Sequence, residues 1–210
     1  MGGQSGMTLV AAADPEFRVD PDRHEYWHGT ARLPSVTETI AHLGDGLAGI
    51  PPAVLEHARQ RGTAVHAAIQ YHHEGDLVME SLDTEIVPYF EAWLRFVEET
   101  GFRVLGAEQP MMSRTYRYAG TPDAWGEMGG DLWLPDLKTT ATMAPKVAVQ
   151  TSAYQRLLHE NTNRKARRAG LQLRADGTYR FHPYAPADDA RDFSVFMAAL
   201  TVHNWRIRHD

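Results

Sequence analysis

The pair Gly129-Gly130 stands between two runs rich in apolar and aromatic residues, Tyr116 to Met128 and Asp131 to Lys138. Glycines tolerate positive φ, so two of them at this point predict a two-residue hairpin turn, and the turn sets the register on both sides. Met128 then pairs with Asp131, and counting outward puts Asp123 opposite Asp136. Directly opposed residues have Cβ atoms about 4.5–5.5 Å apart, and strand alternation adds Lys138 to the face of Asp136. Two carboxylates about 5 Å apart repel by about 3 kcal/mol at an effective dielectric near 20. Both stay ionised only beside a positive charge. Lys138 serves in an ordinary surface charge cluster, and a divalent cation serves in a metal site. Pro122 and Pro135 cannot donate to a ladder, so a bulge could shift this register.

The remaining punctuation predicts an α/β chain. Phe17 to Val19 and His24 to Trp27 flank Asp-Pro-Asp-Arg, a turn sequence, and predict an N-terminal hairpin. Pro51 and Pro52 open a helix whose apolar positions recur to a stop at Gly75, with Gly62 able to bend or divide it. A second helix is expected over about Ser81 to Thr100, with Ile86, Phe90, Trp93, Leu94 and Val97 on one stripe and Gly101 at its end. A strand over Phe102 to Met112 precedes the central hairpin. A third helix follows over about Pro145 to Asn161, then a hairpin around Ala-Asp-Gly-Thr and a last helix over about Ala187 to Arg208.

With 210 residues and 43% hydrophobic content the chain reads as one domain, residues 1–210, able to bury a core. Residues 1–6 of the opening Met-Gly-Gly-Gln-Ser-Gly-Met read as a tag remnant. The absence of cysteine excludes disulfides and any thiolate zinc or iron-sulfur site, so a metal must sit on oxygen or imidazole. No apolar run approaches the roughly 20 residues of a membrane span, and a cytoplasmic location without a membrane partner is expected. The net charge of -6 argues against a general polyanion binder. An acidic protein can still hold an anion through a cation bound on its carboxylates.

Four short segments occur in order: Arg61-Gly62-Thr-Ala-Val-His66, Gly120-Thr-Pro-Asp123, Asp136-Leu137-Lys138 and Gln150-Thr-Ser-Ala-Tyr154. Together they resemble the PD-(D/E)xK nuclease superfamily in its RecB-like branch, with a helical Gly-x-x-x-His, Gly-x-x-Asp, (Asp/Glu)-x-Lys and Gln-x-x-x-Tyr. Leu-Pro-Ser-Val-Thr, residues 33–37, is also similar to the phage-type exonucleases and the mitochondrial genome maintenance exonuclease. The resemblance spans about Leu33 to Leu158. It implies a restriction-endonuclease-like core, a central mixed β-sheet flanked by helices, carrying the N-terminal hairpin and a helical segment as a groove wall.

Carried over by residue, the resemblance makes His66, Asp123, Asp136 and the Leu137 carbonyl ligands of Mg²⁺ or Mn²⁺, with Lys138 as the catalytic lysine. Gln150 and Tyr154, one helical turn apart, would shape the site and contact the scissile strand. Glu108, in Gly-Ala-Glu-Gln-Pro, matches an acidic position on the preceding strand, where a structural acid is the alternative. Ser35, Thr37 and Arg61 are candidate DNA contacts, although Ser or Thr before Glu-Thr-Ile also reads as a helix cap. The implied activity is a metal-dependent exonuclease acting on DNA ends, with some preference for single strands, in phage or bacterial recombination, repair or degradation. A sequence- or structure-specific endonuclease and a silent DNA-end-binding protein are the alternatives. Polarity and oligomeric state are not legible.

Other features read as ordinary structure. His72 and His73 point about 100° apart on a helix and are expected at the surface. Asn163 to Arg168 is a basic run that serves either as a solvated loop or as a receiver of phosphates leaving the site. Trp93 lies on an apolar stripe and is expected in the core.

Overall fold

A computed structural model of the protein describes residues 14–20, 23–44 and 49–209. The proposed tag remnant lies outside the described residues, as does Pro21 of the first turn. Strands β1 (Phe17–Asp20), β2 (Glu25–His28) and β3 (Ala31–Leu33) form an antiparallel three-stranded sheet, with Asp20 facing Glu25. The expected hairpin is therefore a meander. Its third strand has three residues, too few for an alternating pattern to announce it.

Helix α1 (Val36–Ile40) starts at Ser35, whose side chain accepts from Glu38 N while Glu38 reaches back to the Ser35 amide. Helix α2 (Pro52–Glu74) carries Pro52 in its first turn, ends on Gly75 at φ 83°, and runs unbroken through Gly62. Helix α3 (Val87–Thr100) starts six residues later than the expected Ser81, because Pro88 is tolerated only in a first turn. Met79–Ser81 instead forms a short 3₁₀ turn.

The chain continues through β4 (Arg103–Ala107), β5 (Met111–Ser113), β6 (Tyr118–Gly120), β7 (Ala124–Met128) and β8 (Asp131–Lys138). Then come α4 (Lys146–Thr162), β9 (Arg167–Leu173), β10 (Tyr179–Pro183) and α5 (Asp189–Ile207). Five strands make a central sheet in the order β10-β9-β8-β7-β4, with β8 and β9 parallel and the other neighbours antiparallel. The mixed α/β architecture expected from the sequence is present. Two expected strands are each cut in two: Phe102 to Met112 breaks at Glu108–Pro110, and Tyr116 to Met128 breaks at Thr121–Asp123. Pro110 and Pro122 have no amide to donate, and Glu108 adopts φ 45°. The pieces cut off by these breaks, β5 and β6, pair with each other in a separate two-stranded sheet.

Both faces of the central sheet are covered, which explains why β8 reads as nearly continuous apolar residues. On one face Ile69, Phe90, Trp93 and Phe96 from α2 and α3 meet Trp133, Leu137 and Leu171. On the other, Leu132 and Leu134 meet Leu157 of α4 and Phe196 of α5. Full burial of each such side chain contributes about 1.5–3 kcal/mol. By strand parity Asp136 shares the α4 face with Leu132 and Leu134.

The first half of the basic run, Asn163 to Lys165, is the exposed loop expected, and the second half is not. Arg167 and Arg168 belong to β9, and Arg168 is buried, donating to Asp189 at 2.7 Å, Asp192 at 2.9 Å and the Ala148 carbonyl at 2.6 Å. Arg164 pairs with Glu127 and Arg167 with Asp131, so these guanidinium charges are already engaged. Trp93 is buried as expected, and His72 and His73 are exposed. No helix among the described residues is long and apolar enough to cross a membrane.

Candidate active site

The hairpin register is the one counted from Gly129-Gly130: Met128 pairs with Asp131, Glu127 with Leu132 and Gly126 with Trp133. The β7–β8 ladder stops there, while β8 continues to Lys138 beside β9. The sheet forks, and Asp123 lies beyond the paired part of β7. The predicted ladder pairing of Asp123 with Asp136 is thus replaced by a side-chain link: Asp123 Oδ2 accepts the Leu137 amide at 2.6 Å. Beyond Gly126 the counted register would set Pro135, which has no amide to donate, opposite Ala124, and the Asp123 carboxylate bridges the gap that opens between the strands.

His66, from α2, reaches the same point. Its Nε2 lies 3.2 Å from the Leu137 carbonyl oxygen, and its Nδ1 lies 3.1 Å from Glu108 Oε1 and 3.5 Å from Asp123 Oδ1. Ligand atoms of His66, Glu108 and Asp123 all lie within 4.8 Å of one another. Glu108, whose role the sequence left open, is in the cluster. Its amide donates to the Asp123 carbonyl at 3.1 Å, so the two strand breaks are tied together. A positive φ on a glutamate costs on the order of 1–3 kcal/mol and persists only where the surroundings impose it.

Asp136 is 1% exposed and its Oδ2 forms an ion pair with the Lys138 ammonium. Neither carboxylate oxygen receives a well-directed hydrogen bond. Burial pushes Asp136 up to about 6, with Asp123 adding to the rise and Lys138 opposing it. Burial also raises Asp123, against the pull of His66 and Lys138. For Lys138, burial disfavours the cation, but Asp136 and Asp123 outweigh it and hold the ammonium charged. Burial likewise works against an imidazolium at His66, and the Asp123 and Glu108 carboxylates overcome it to raise the group to about 9.

These donors fit a divalent cation. Three carboxylates, Glu108, Asp123 and Asp136, face one lysine, and two negative charges remain once His66 is neutral. Hard oxygen donors with one imidazole suit Mg²⁺ or Mn²⁺. The partnerless oxygen of Asp136, buried beside the cluster, is the kind of orphaned acceptor that a cation satisfies. A Cys-ligated iron-sulfur cluster is excluded by composition.

From α4, Gln150 and Tyr154 enter the same groove, with Gln150 Nε2 donating to the Tyr154 hydroxyl at 3.3 Å and Thr37 also bonded to that tyrosine. Burial, reinforced by Asp123 and Asp136, raises Tyr154 well above its ordinary range, so it stays a neutral phenol. Gly120 has a steric role here, since a Cβ would sit 2.8 Å from Tyr154 Cε1 and 3.0 Å from Val36 Cγ2. No such close approach surrounds Gly62, where a Cβ would meet Thr139 Oγ1 at 3.7 Å.

The groove has a volume of about 510 Å³ and takes in His66, Glu108, Asp123, Lys138, Gln150 and Tyr154. Ser35 and Thr37 border it, with the Ser35 hydroxyl engaged as the α1 cap at 3.0 Å from Glu38 N. Arg61 is not on its wall; its guanidinium donates to the Thr139 carbonyl at 3.2 Å and lies over the Tyr89 ring. Arg23, His24 and Tyr26 of the N-terminal meander form a further wall that the sequence did not reveal. Tyr26 meets Thr121 at 2.8 Å, fastening the meander to the Gly-Thr-Pro-Asp segment. No local spacing marks these residues, because only the tertiary fold brings the meander over the fork.

No protein-family model and no curated protein matches the sequence. The solved structures similar to it include a protein assigned as an exonuclease from Eubacterium rectale and an alkaline exonuclease from Laribacter hongkongensis. The first is 13% identical over 69% of this chain and 68% of its own, with a TM-score of 0.46. The second is 14% identical over 84% of this chain and 92% of its own, with a TM-score of 0.38. Likeness at this level carries no activity over to this chain.

Proposed function

We propose that the chain is a divalent-metal-dependent deoxyribonuclease of the PD-(D/E)xK kind that hydrolyses phosphodiester bonds from DNA ends, with single strands preferred. The observation that supports it is the convergence of His66, Glu108 and Asp123 within 4.8 Å, beside the Asp136–Lys138 ion pair, at a fork opening into a groove. His66, Asp123, Asp136 and the Leu137 carbonyl would hold Mg²⁺ or Mn²⁺, with Glu108 as an additional donor. The cation would supply charge neutralisation at a phosphate oxygen and acidify water.

The chain's own groups account for the rest. Lys138, kept protonated by Asp136 and Asp123, directs a water oxygen at phosphorus. The water's proton passes to solvent, and the opposite P–O bond breaks with its electron pair on the leaving oxygen, which takes a proton from solvent. The ammonium offsets the charge gathering on the phosphoryl oxygens. Gln150 and the neutral Tyr154 offer hydrogen-bond donors to the scissile strand from one face of α4. Thr37 orients the Tyr154 hydroxyl. The exonuclease and single-strand assignments draw support from the Leu33 to Thr37 segment, which borders the groove.

The test uses end-labelled single- and double-stranded DNA and closed circles, with Mg²⁺, Mn²⁺ or chelator, for wild type and Asp136→Ala. Metal-dependent shortening of linear DNA that Asp136→Ala abolishes is expected. Cleavage of closed circles would overturn the exonuclease reading, and activity surviving in Asp136→Ala would overturn the site.

A further inference from the structure

The open edge of β8 at the fork is filled by side chains instead of a strand. Leu137 N is taken by Asp123 and Leu137 O faces His66. Two residues on, the Thr139 carbonyl accepts from Arg61 Nη2 at 3.2 Å. Along a strand, carbonyls two residues apart point the same way and lie about 6.6 Å apart. Arg61 and His66 are five residues apart on α2, a rise of about 7.5 Å. The helix therefore lies along this edge with the spacing of a replacement strand. On the opposite edge Gln172 Nε2, on the β9 residue paired with Lys138, donates to the Thr140 carbonyl at 2.7 Å.

We propose that Arg61 is a positioning residue for the catalytic strand: by holding the Thr139 carbonyl, opposite Gln172 at Thr140, it sets the peptide orientation that aims the Leu137 carbonyl and the Lys138 ammonium into the site. Three features distinguish this role from a DNA contact. Arg61 is absent from the groove wall, and its guanidinium lies over Tyr89 and 3.7 Å from Glu85. Its Nε is buried, out of reach of a phosphate in the groove. Thr139 is itself buried, which limits the solvent that competes for its carbonyl. The catalytic part of this role rests on the nuclease reading above, whereas the mechanical part, ordering of the segment after Lys138, does not.

The experiment compares wild type with Arg61→Met, Arg61→Lys and Gln172→Leu. It reads Mn²⁺ affinity by titration, hydrogen exchange of peptides spanning residues 137–145, labelled-oligonucleotide binding in chelator, and nuclease rate. For Arg61→Met and Gln172→Leu the expected result is a loss of about 10–100-fold in Mn²⁺ affinity and rate, as for partners that orient metal ligands. Exchange over 137–145 should become faster while DNA binding changes by less than about twofold, and Arg61→Lys should recover part of the loss. Weaker DNA binding in Arg61→Met with unchanged exchange and Mn²⁺ affinity would overturn the proposal. If Arg61→Met does not fold, Arg61→Lys and Gln172→Leu carry the same comparison. A wild type that neither cleaves DNA nor binds Mn²⁺ would sink the nuclease reading alone; unchanged exchange in the variants would still refute the positioning role.

Discussion

Asp123 accepts the Leu137 amide at 2.6 Å, taking the hydrogen bond that a continuing β7 would have taken, while its other oxygen faces His66 at 3.5 Å. One carboxylate thus closes the fork and contributes to the candidate metal cluster.

The two roles separate by substitution. Asp123→Asn retains an acceptor for Leu137 N but loses the charge, so near-native thermal stability with at least 100-fold lower nuclease activity is expected. Asp123→Ala removes both and should also lose about 1–3 kcal/mol through the orphaned amide. Denaturant melts run beside single-turnover assays distinguish them; equal destabilisation of both variants would contradict the assignment.

The metal-free protein should become less stable as pH rises. Asp136, raised from 3.8 to about 6, binds a proton more tightly in the folded state, so its contribution falls across that interval. His66, raised from 6.5 to about 9, contributes stability that is full below 6.5 and lost as pH climbs through 9, up to about 3 kcal/mol. Melting temperatures in chelator between pH 5 and 9.5 check this, and His66→Gln should flatten the upper part of the curve. Mn²⁺ should raise the melting temperature more at pH 8.5 than at pH 6, because the imidazolium proton must leave first.

Gly120→Ala should displace Tyr154, since the added Cβ would lie 2.8 Å from its ring and 3.0 Å from Val36. Overpacking of this kind costs about 1–3 kcal/mol. A drop in kcat exceeding that of Gly62→Ala, where the space is ordinary, is the expected readout; equal effects would remove the steric argument.

Arg168→Met should cost about 3 kcal/mol, chiefly by taking the buried cation from buried Asp192, which keeps only Arg191 at 3.6 Å, while half-buried Asp189 keeps Lys165 at 3.6 Å. Chemical denaturation measures the loss. The folded fraction should cleave and bind DNA as wild type does, because Arg168 anchors β9 to α4 and α5. A selective loss of DNA affinity would restore the phosphate-receiver reading of the basic run.

Legibility in the sequence followed the range of the determining forces. The Gly129-Gly130 turn and the helix stops at Gly75 and Gly101 are local, and the structure bears them out. The start of α3 is not legible because the apolar stripe extends ahead of Pro88, whose missing amide decides the boundary. The place of Arg168 is not legible because nothing in Asn163 to Arg168 announces that two aspartates some twenty residues later pair with it.

By itself the sequence determined the hairpin register, the ordered chemical groups and the exclusion of thiolate metals, because turns, spacing and composition act within a few residues. Only the tertiary structure decided that the ladder ends at Gly126, that Glu108 joins His66 and Asp123, and that Arg61 turns to a backbone carbonyl and away from the groove. Those outcomes depend on where β7 parts from β8 and which helix lies along the exposed edge. The unpaired backbone groups there must find partners, and the nearest ones come from positions remote in the chain.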